Sequence, residues 1–239
     1  MIKLAVSGCL GRMGQRITAL AQEDRYFQIS ALLENLNHPQ FLTKINGMSI
    51  ADSTDALKGS DVLIEFTTPE ATLEHLAACV KHKVAMVIGT TACTPDQAKK
   101  IKAAAKKIPI VFSSNMSIGV NILFKLTEML AKTAPDSYTV RMVEAHHIHK
   151  KDAPSGTAKT LANVVETNSA HKVTDIQSIR EGEIVGDHKI IFESAEDIII
   201  LDHHAKSRDI FAKGALVAAK FISKKTSGLF SMKEVLGLK

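Results

Sequence analysis

The sequence predicts an α/β fold: a doubly wound parallel sheet, followed by a smaller α+β domain with a mixed sheet. Three observations carry this prediction. Short apolar segments alternate with amphipathic helical segments through the first half of the chain. A glycine-rich turn lies between the first apolar segment and the first helix. After Gly119 the alternation stops, and strand-like segments follow one another with little helix between them.

In the first half, five short apolar runs have the length and composition of buried parallel strands. They occupy residues 2–7, 27–33, 61–66, 84–88 and 109–113. Helical spacing follows the first, third and fourth runs, and the last of these helices begins at Thr94-Pro95-Asp96-Gln97. That pattern is an N-cap, a first-turn proline and a capping-box partner. This order predicts parallel strands connected by helices.

The second half begins with a helix whose apolar residues run from Ile122 to Leu130. A second helix is expected over about 155–165, and strands are expected at 138–145, 174–180, 188–193 and 197–203. Ser207 can cap a further helix that runs through Phe221, and residues 231–234 repeat the capping-box pattern. The change of pattern predicts a domain break near residues 116–119.

The composition is that of an ordinary globular protein. The 239 residues are 45% hydrophobic and 23% charged, with a net charge of +5 and no Trp. The lysines are scattered, and no segment approaches the ~20 apolar residues of a membrane span. Cys9, Cys79 and Cys93 form no CxxC pair, and the apolar stretch before Cys9 is too short for a signal peptide. We expect a cytoplasmic protein without nucleic-acid or membrane partners.

The glycine-rich turn reads Gly8-Cys9-Leu10-Gly11-Arg12-Met13-Gly14. Glycines in this position let the backbone approach a pyrophosphate, and the helix start supplies N–H groups and partial positive charge. Glu34 ends the second predicted strand, where an acidic residue can accept hydrogen bonds from an adenosine ribose. The pattern predicts a Rossmann-like dinucleotide-binding domain. The alternative is a tight strand-to-helix turn, with Glu34 at a solvated strand end.

The residues after Glu34 bear on the choice of cofactor. Asn35 follows, and no Arg or Lys occurs in the next several positions. A 2′-phosphate therefore has no obvious partner there, although Arg12 is available. We predict that NADH is used at least as well as NADPH.

Two further strand ends carry candidate cofactor-binding residues, because ligands of such sheets bind beyond the carboxyl ends of the strands. For each of them a plain loop or helix cap is the alternative. The candidates are Gly89, Thr90 and Thr91 after the fourth strand, and Ser113, Ser114, Asn115 and Met116 after the fifth.

Residues 144–158 read EAHHIHKKDAPSGTA, in which three histidines and two lysines lie close together. His146, His147 and His149 suggest a zinc site as one interpretation. Lys150 and Lys151 would repel a cation, and neither an HExxH motif nor a nearby Cys completes a familiar pattern. We therefore predict no metal here.

An anionic ligand fits this loop better, because histidines and lysines attract carboxylates. Pro154-Ser155-Gly156-Thr157 begins a helix, so Gly156 and Thr157 lie in a first turn whose N–H groups lack intrahelical partners. The loop then supplies proton donors and an anion-binding helix start together. The alternative is a basic surface loop before an ordinary capped helix.

Several segments together resemble one known family. They are GCLGRMG, EFTTPEAT, GTT, SSNMSIGVN, EAHHIHKKDAPSGTA and SGLFSMKEVL. The family is that of 4-hydroxy-tetrahydrodipicolinate reductase, also called dihydrodipicolinate reductase. The resemblance covers essentially the whole chain, and the HHxxKxDxPSGTA-type pattern at residues 146–158 is highly specific.

The resemblance implies NAD(P)H-dependent reduction of (2S,4S)-4-hydroxy-2,3,4,5-tetrahydrodipicolinate to (S)-2,3,4,5-tetrahydrodipicolinate, with loss of water, in the diaminopimelate pathway of lysine biosynthesis. It implies His146 as general acid/base and Lys150 as proton donor. His147, Gly156 and Thr157 would bind the cyclic dicarboxylate. Gly8–Met13, Glu34, 89–91 and 113–116 fall on the cofactor-binding segments.

The resemblance also implies a homotetramer with two domains. Residues 1–117 and 206–239 would form the dinucleotide-binding domain, and residues 118–205 the substrate-binding and oligomerisation domain. Two departures stand out: Asn35 where many members have Arg, and Met116 where several have Phe. The alternatives are another nicotinamide-dependent enzyme, such as an aspartate or amino-acid dehydrogenase, and a non-enzymatic nucleotide sensor.

Overall fold

The protein is described by a computed structural model that covers residues 1–238. The chain divides into two compact units. One comprises Met1–Ser117 together with the segment that begins at Phe211, and the other comprises Ile118–Ile210. Each unit has its own main sheet and its own apolar core.

The strands and helices are numbered along the chain. The strands of residues 1–238 are β1 (Ile2–Ser7), β2 (Phe27–Leu33), β3 (Lys44–Ile45), β4 (Met48–Ser49), β5 (Val62–Glu65), β6 (Ala85–Ile88), β7 (Pro109–Phe112), β8 (Thr139–His146), β9 (Val173–Arg180), β10 (Asp187–Glu193), β11 (Ile198–His204) and β12 (Gly228–Phe230). The α-helices are α1 (Arg12–Glu23), α2 (Pro69–His82), α3 (Pro95–Ala104), α4 (Ile118–Thr133), α5 (Gly156–Asn168), α6 (Asp209–Ile222) and α7 (Met232–Val235), and Thr54–Leu57 is a 3₁₀ turn.

The first unit is built on a six-stranded parallel sheet in the order β12-β7-β6-β5-β1-β2. The chain leaves β1 toward β2 on one side and returns to β5 on the other side. The carboxyl ends of β1 and β5 therefore meet at the topological switch point, where doubly wound sheets bind their ligands. The five predicted strands are all present, and β12 is a sixth strand that the sequence analysis did not identify.

Buried aliphatic side chains hold this unit together. All four residues of β6 are buried, and Leu63, Met86 and Ile110 have no exposed surface. Each such side chain contributes roughly 1.5–3 kcal/mol by leaving water. The helix starts follow the predicted chemistry: both predicted capping boxes, at Thr94 and at Ser231, are present.

The second unit is built on a mixed four-stranded sheet in the order β11-β10-β8-β9. The β8–β9 pair is parallel and the other pairs are antiparallel. Helices α4 and α5 pack on one face through a core that includes Leu123, Val140, Leu161 and Phe192. The two sheets confirm the predicted fold class. Within residues 1–238, no helix combines the length and the apolar character that crossing a membrane requires.

Candidate active site

The glycine-rich turn follows β1 at the switch point of the first unit. Gly8 has φ +61°, and a Cβ there would lie 2.9 Å from Cγ2 of Thr67. A Cβ on Gly14 would lie 2.0 Å from the carbonyl oxygen of Gly8, so this glycine lets α1 pack against the turn. Gly11 donates its N–H to the Gly8 carbonyl at 2.9 Å. The turn is a tight backbone cradle, and it fits a phosphate-bearing cofactor.

The side chains in the turn differ in their access to a ligand. Cys9 is fully buried, and burial together with the charge of Glu34 raises the pKa of its thiol to about 11. Leu10 is also buried, whereas Arg12 is exposed and Met13 half-buried. Cys9 and Leu10 can therefore contribute to cofactor binding only through their backbone.

Glu34 lies against the same turn. Its Oε2 accepts a hydrogen bond from the N–H of Leu10 at 3.0 Å, and its Oε1 accepts one from the N–H of Asn35 at 2.9 Å. The acidic residue at the end of β2 is thus held beside the glycine-rich turn by backbone donors. This geometry suits the ribose contact expected of such a residue.

The other predicted cofactor segments also follow strands of this sheet. Thr90 is buried, and its hydroxyl lies 3.0 Å from that of Thr72, whereas Thr91 is exposed. A Cβ on Gly89 would lie 2.2 Å from the ring of Phe66, so this glycine makes room for that ring.

The segment after β7 is ordered by its own hydrogen bonds. The Ser113 hydroxyl donates to the Asn115 carbonyl at 3.0 Å, and the Asn115 side chain accepts from the Ser117 N–H at 2.8 Å. Ser114 is exposed and the Met116 side chain is buried. Met116 therefore offers a ligand only its backbone in this structure.

A buried carboxylate that is not among the predicted site residues lies at the end of β5. Glu65 is fully buried and accepts hydrogen bonds from Ser7 Oγ at 2.7 Å and from the Thr67 N–H at 2.9 Å. His75 Nδ1 lies 2.5 Å from its Oε2. Burial alone would raise the pKa of Glu65, but its hydrogen bond to His75 and the charge of His75 outweigh burial and lower it. Glu65 thus fastens β1, β5 and α2 together at the switch point.

In the second unit, His146 is the last residue of β8 and is 8% exposed. Its Nδ1 lies 2.5 Å from Oε2 of Glu144, and Oε1 of Glu144 accepts a hydrogen bond from Nη2 of Arg180 at 2.8 Å. Burial lowers the pKa of His146, and the opposing effect of Glu144 does not fully compensate. The imidazole is therefore largely neutral near pH 7 in this structure.

A second buried histidine connects His146 to the start of α5. The rings of His146 and His188 are in edge contact, with centroids 5.2 Å apart, and His188 Nε2 lies 3.2 Å from Ser155 Oγ. Ser155 is the N-cap of α5 and accepts the Ala158 N–H. Burial lowers the pKa of His188 to about 3, so this ring is neutral. Sequence periodicity gave no signal for Arg180 or His188 as site residues.

The remaining predicted residues lie in the loop between β8 and α5. Lys150 Nζ lies 2.8 Å from Oδ1 of Asp152. His147 donates its backbone N–H to the Ile184 carbonyl at 2.7 Å. Gly156 and Thr157 form the first turn of α5, as predicted for an anion-binding helix start. His149 is exposed and faces Glu183 at 3.6 Å.

Glu144, His146 and His188 could also reach a single metal ion, because one ligand atom of each lies within 4.8 Å of the others. The carboxylate is already hydrogen-bonded to a guanidinium and an imidazole. The positive charges of Arg180 and Lys150 act on His146 and oppose a cation. A hydrogen-bonded acid–base cluster accounts for these contacts better than a metal centre does.

The chain combines a parallel sheet that carries a glycine-rich turn with a mixed sheet that carries histidines. This combination is typical of the Rossmann-type dehydrogenases and reductases. Family models narrow the class. The model "Dihydrodipicolinate reductase, N-terminus" matches residues 2–116, and "Dihydrodipicolinate reductase, C-terminus" matches residues 119–236. The chain belongs to the dihydrodipicolinate reductase family.

Named relatives agree with this membership. A 4-hydroxy-tetrahydrodipicolinate reductase of Nitrosomonas eutropha is 41% identical, covering 100% of this chain and 99% of the relative. One of Burkholderia ambifaria is 37% identical, with 100% of both chains covered. The solved structure of a dipicolinate-bound dihydrodipicolinate reductase from Paenisporosarcina sp. TG-14 has a TM-score of 0.84 at 24% identity, covering 98% of each chain.

The protein is therefore an oxidoreductase of a nicotinamide-dependent family. The expected reaction is confirmed: reduction of 4-hydroxy-tetrahydrodipicolinate in lysine biosynthesis. An aspartate dehydrogenase from Thermotoga maritima has a TM-score of 0.55 at 13% identity, covering 94% of this chain and 98% of that one. That likeness concerns the fold alone, so the reductase assignment is favoured over the dehydrogenase alternative.

Proposed function

We propose that His146 and Lys150 transfer the protons of this reduction, and that His147 and the first turn of α5 bind the dicarboxylate. One observation carries this assignment. The N-cap of α5, Ser155, is hydrogen-bonded to His188, and the His188 ring contacts His146. The acid–base histidine and the anion-binding helix start are therefore only two contacts apart. A substrate with carboxylates beside its reacting atoms requires this proximity.

The two protonating groups differ in charge. His146 is largely neutral near pH 7 because burial lowers its pKa, so it accepts a proton more readily than it donates one. Lys150 carries an ammonium group beside Asp152 and is the stronger candidate for proton donor. The negative charge of a bound dicarboxylate raises the pKa of His146 and lets it take part in the exchange.

The substrate is a cyclic dicarboxylate, (2S,4S)-4-hydroxy-2,3,4,5-tetrahydrodipicolinate, and the product is (S)-2,3,4,5-tetrahydrodipicolinate. The N–H groups of Gly156 and Thr157 and the partial positive charge of the helix start suit a carboxylate. The relative from Paenisporosarcina carries dipicolinate, a planar dicarboxylate, which supports the same ligand class here.

The first unit is the proposed cofactor-binding domain. The Gly8–Gly14 turn would hold the pyrophosphate and Glu34 the ribose, with 89–91 and 113–116 completing the edge of the sheet. When bound, the nicotinamide cofactor supplies the hydride. Glu34 presents a carboxylate, and exposed Asn35 adds no positive charge, so a 2′-phosphate is disfavoured next to them. NADH is accordingly proposed to serve at least as well as NADPH.

The second unit is also the proposed oligomerisation domain of a cytoplasmic homotetramer. Helices cover one face of its sheet, and the opposite face carries Ile198 and Ile200, each 52% exposed. Two β-branched apolar side chains on an edge strand favour burial against another chain. A second copy of this sheet is the proposed partner.

Paired lysine and histidine variants test the assigned roles. Lys150→Ala and His146→Ala should each lower kcat about 100-fold or more, with little change in cofactor affinity. Their neighbours Lys151→Ala and His149→Ala are matched controls and should keep kcat within about twofold. Near-normal turnover in both Lys150→Ala and His146→Ala would remove this loop from the mechanism.

A further inference from the structure

Glu144 is a buried carboxylate that the sequence analysis left without a role. It is 1% exposed, and it lies two positions before His146 on β8, so both side chains point to the same face. The strand register brings two more groups to that face. His188 on β10 is directly opposite Glu144, and Arg180 on β9 is directly opposite His146.

The hydrogen bonds of Glu144 decide which nitrogen of His146 carries the proton. An ionised carboxylate only accepts hydrogen bonds. Burial alone would raise the pKa of Glu144, but hydrogen bonds from Arg180 and Ser178 outweigh burial and lower it. Because Oε2 of Glu144 lies 2.5 Å from Nδ1, that nitrogen must be the donor, and the neutral ring has its lone pair on Nε2.

The space beside Nε2 is kept open by a glycine. A Cβ on Gly186 would lie 3.1 Å from Nε2 of His146 and 3.7 Å from Cε1 of His188. A side chain at this position would therefore crowd the nitrogen that holds the lone pair.

Arg180 connects this pair to the loop that carries Lys150. Its Nη2 donates both to Glu144 Oε1 at 2.8 Å and to the backbone carbonyl of Asp152 at 2.6 Å. Its Nη1 donates to the Ile179 carbonyl at 2.7 Å. The guanidinium is thus fixed at three points, and Glu144 is held in one orientation.

We propose that Glu144, locked by Arg180, is a positioning residue that keeps the proton of His146 on Nδ1 and presents Nε2 to the substrate. This inference rests on the proposed acid–base role of His146. It adds a specific tautomer and the two residues that impose it. A carboxylate that orients a catalytic imidazole in this way stabilises the charged ring during turnover as well.

The test compares Glu144→Gln and Glu144→Asp with Glu193→Gln, an exposed carboxylate of the same sheet paired with Arg141. Glu144→Gln should lower kcat about 100-fold with the KM for cofactor unchanged. In the pH profile of kcat, the limb that reports the titration of His146 should also move to lower pH, because the charge of Glu144 raises the pKa of this histidine. Glu144→Asp should recover part of kcat, and Glu193→Gln should change neither quantity.

A second readout does not depend on activity. Solid-state NMR of ¹⁵N-histidine-labelled protein reports which ring nitrogen is protonated, and a His146→Gln sample identifies the His146 signals. The wild type should show a protonated Nδ1, and Glu144→Gln should shift the proton toward Nε2. An unchanged tautomer together with an unchanged pH profile would overturn the inference. If Glu144→Gln does not fold, the wild-type tautomer decides: a His146 proton on Nε2 and not on Nδ1 would overturn the inference. Loss of the predicted reaction in the wild type, with the tautomer as predicted, would reject the proposed function alone.

Discussion

His75 Nδ1 lies 2.5 Å from Oε2 of Glu65, whose carboxylate is fully buried at the carboxyl end of β5. Each partner shifts the titration of the other. Burial opposes both charges, but the pair lowers the pKa of Glu65 and raises that of His75. The ion pair therefore stabilises the fold most between the ordinary values of the two groups, about 4.5 and about 6.5.

This pair predicts a pH-dependent stability. The contribution of His75 is complete below about pH 6.5 and is lost as the pH rises through its raised pKa. The contribution of Glu65 is complete above about pH 4.5 and is lost as the pH falls through its lowered pKa. At pH 5.5, His75→Gln should lower Tm by about 5–10 °C, because it leaves a buried charge uncompensated. Differential scanning fluorimetry across this range measures the effect. The exposed His149→Gln should leave the curve unchanged, and a His75→Gln curve parallel to that of the wild type would contradict the account.

The close packing of Gly14 against the turn predicts a local effect on cofactor binding. In Gly14→Ala the new Cβ would meet the Gly8 carbonyl at 2.0 Å and Cα of Cys9 at 2.7 Å, so the turn must move. We expect NADH affinity to fall at least about 10-fold, because misplaced backbone N–H groups bind the pyrophosphate poorly. Isothermal titration calorimetry measures the affinity. Gly156→Ala is the control, because a Cβ there meets nothing within 4 Å. Equal NADH affinity in the two variants would show that the glycine-rich turn does not bind the pyrophosphate.

The surroundings of Glu34 predict the cofactor preference. Asn35→Arg places a guanidinium where a 2′-phosphate would lie and should raise kcat/KM for NADPH about 10-fold, with NADH little changed. Glu34→Gln should weaken NADH use, since a ribose hydroxyl then loses a charged acceptor. Steady-state kinetics with both cofactors decide the matter. A strong NADPH preference of the unaltered protein would show this reading of Glu34 and Asn35 to be wrong.

The apolar strip on β11 predicts the oligomeric state. Light scattering coupled to size exclusion should give a mass about four times the 25.9 kDa of one chain. Ile200→Lys should produce smaller species, because a lysine is costly to bury in the apolar part of an interface. Leu42→Lys, at a side chain 94% exposed in the first unit, should leave the mass unchanged. A monomeric wild type would contradict the proposed interface.

Much of the fold could be predicted from local pattern alone. The five predicted strands of the first unit and the capping boxes at Thr94 and Ser231 carry strong signals within a few residues. The hairpin of β3 and β4 and the strand β12 were missed, because elements of two or three residues have no measurable periodicity.

The site was harder to predict than the fold. His146, Lys150 and Gly156 fall in one unusual segment and could be found from composition. Glu65 and Glu144 each interrupt an apolar run, which is a signal of a buried charge that the sequence analysis did not use. Arg180 and His188 could not be found, because their proximity to His146 arises only from strand pairing across more than 30 residues.

This chain reduces 4-hydroxy-tetrahydrodipicolinate with hydride from a nicotinamide. The most direct measurement follows NADH oxidation by the purified protein while a synthase makes the substrate in situ from pyruvate and aspartate semialdehyde. NADH oxidation should depend on both synthase substrates and should fall about 100-fold or more in Lys150→Ala. NADH oxidation that is absent, or that proceeds equally without the synthase, would contradict this assignment.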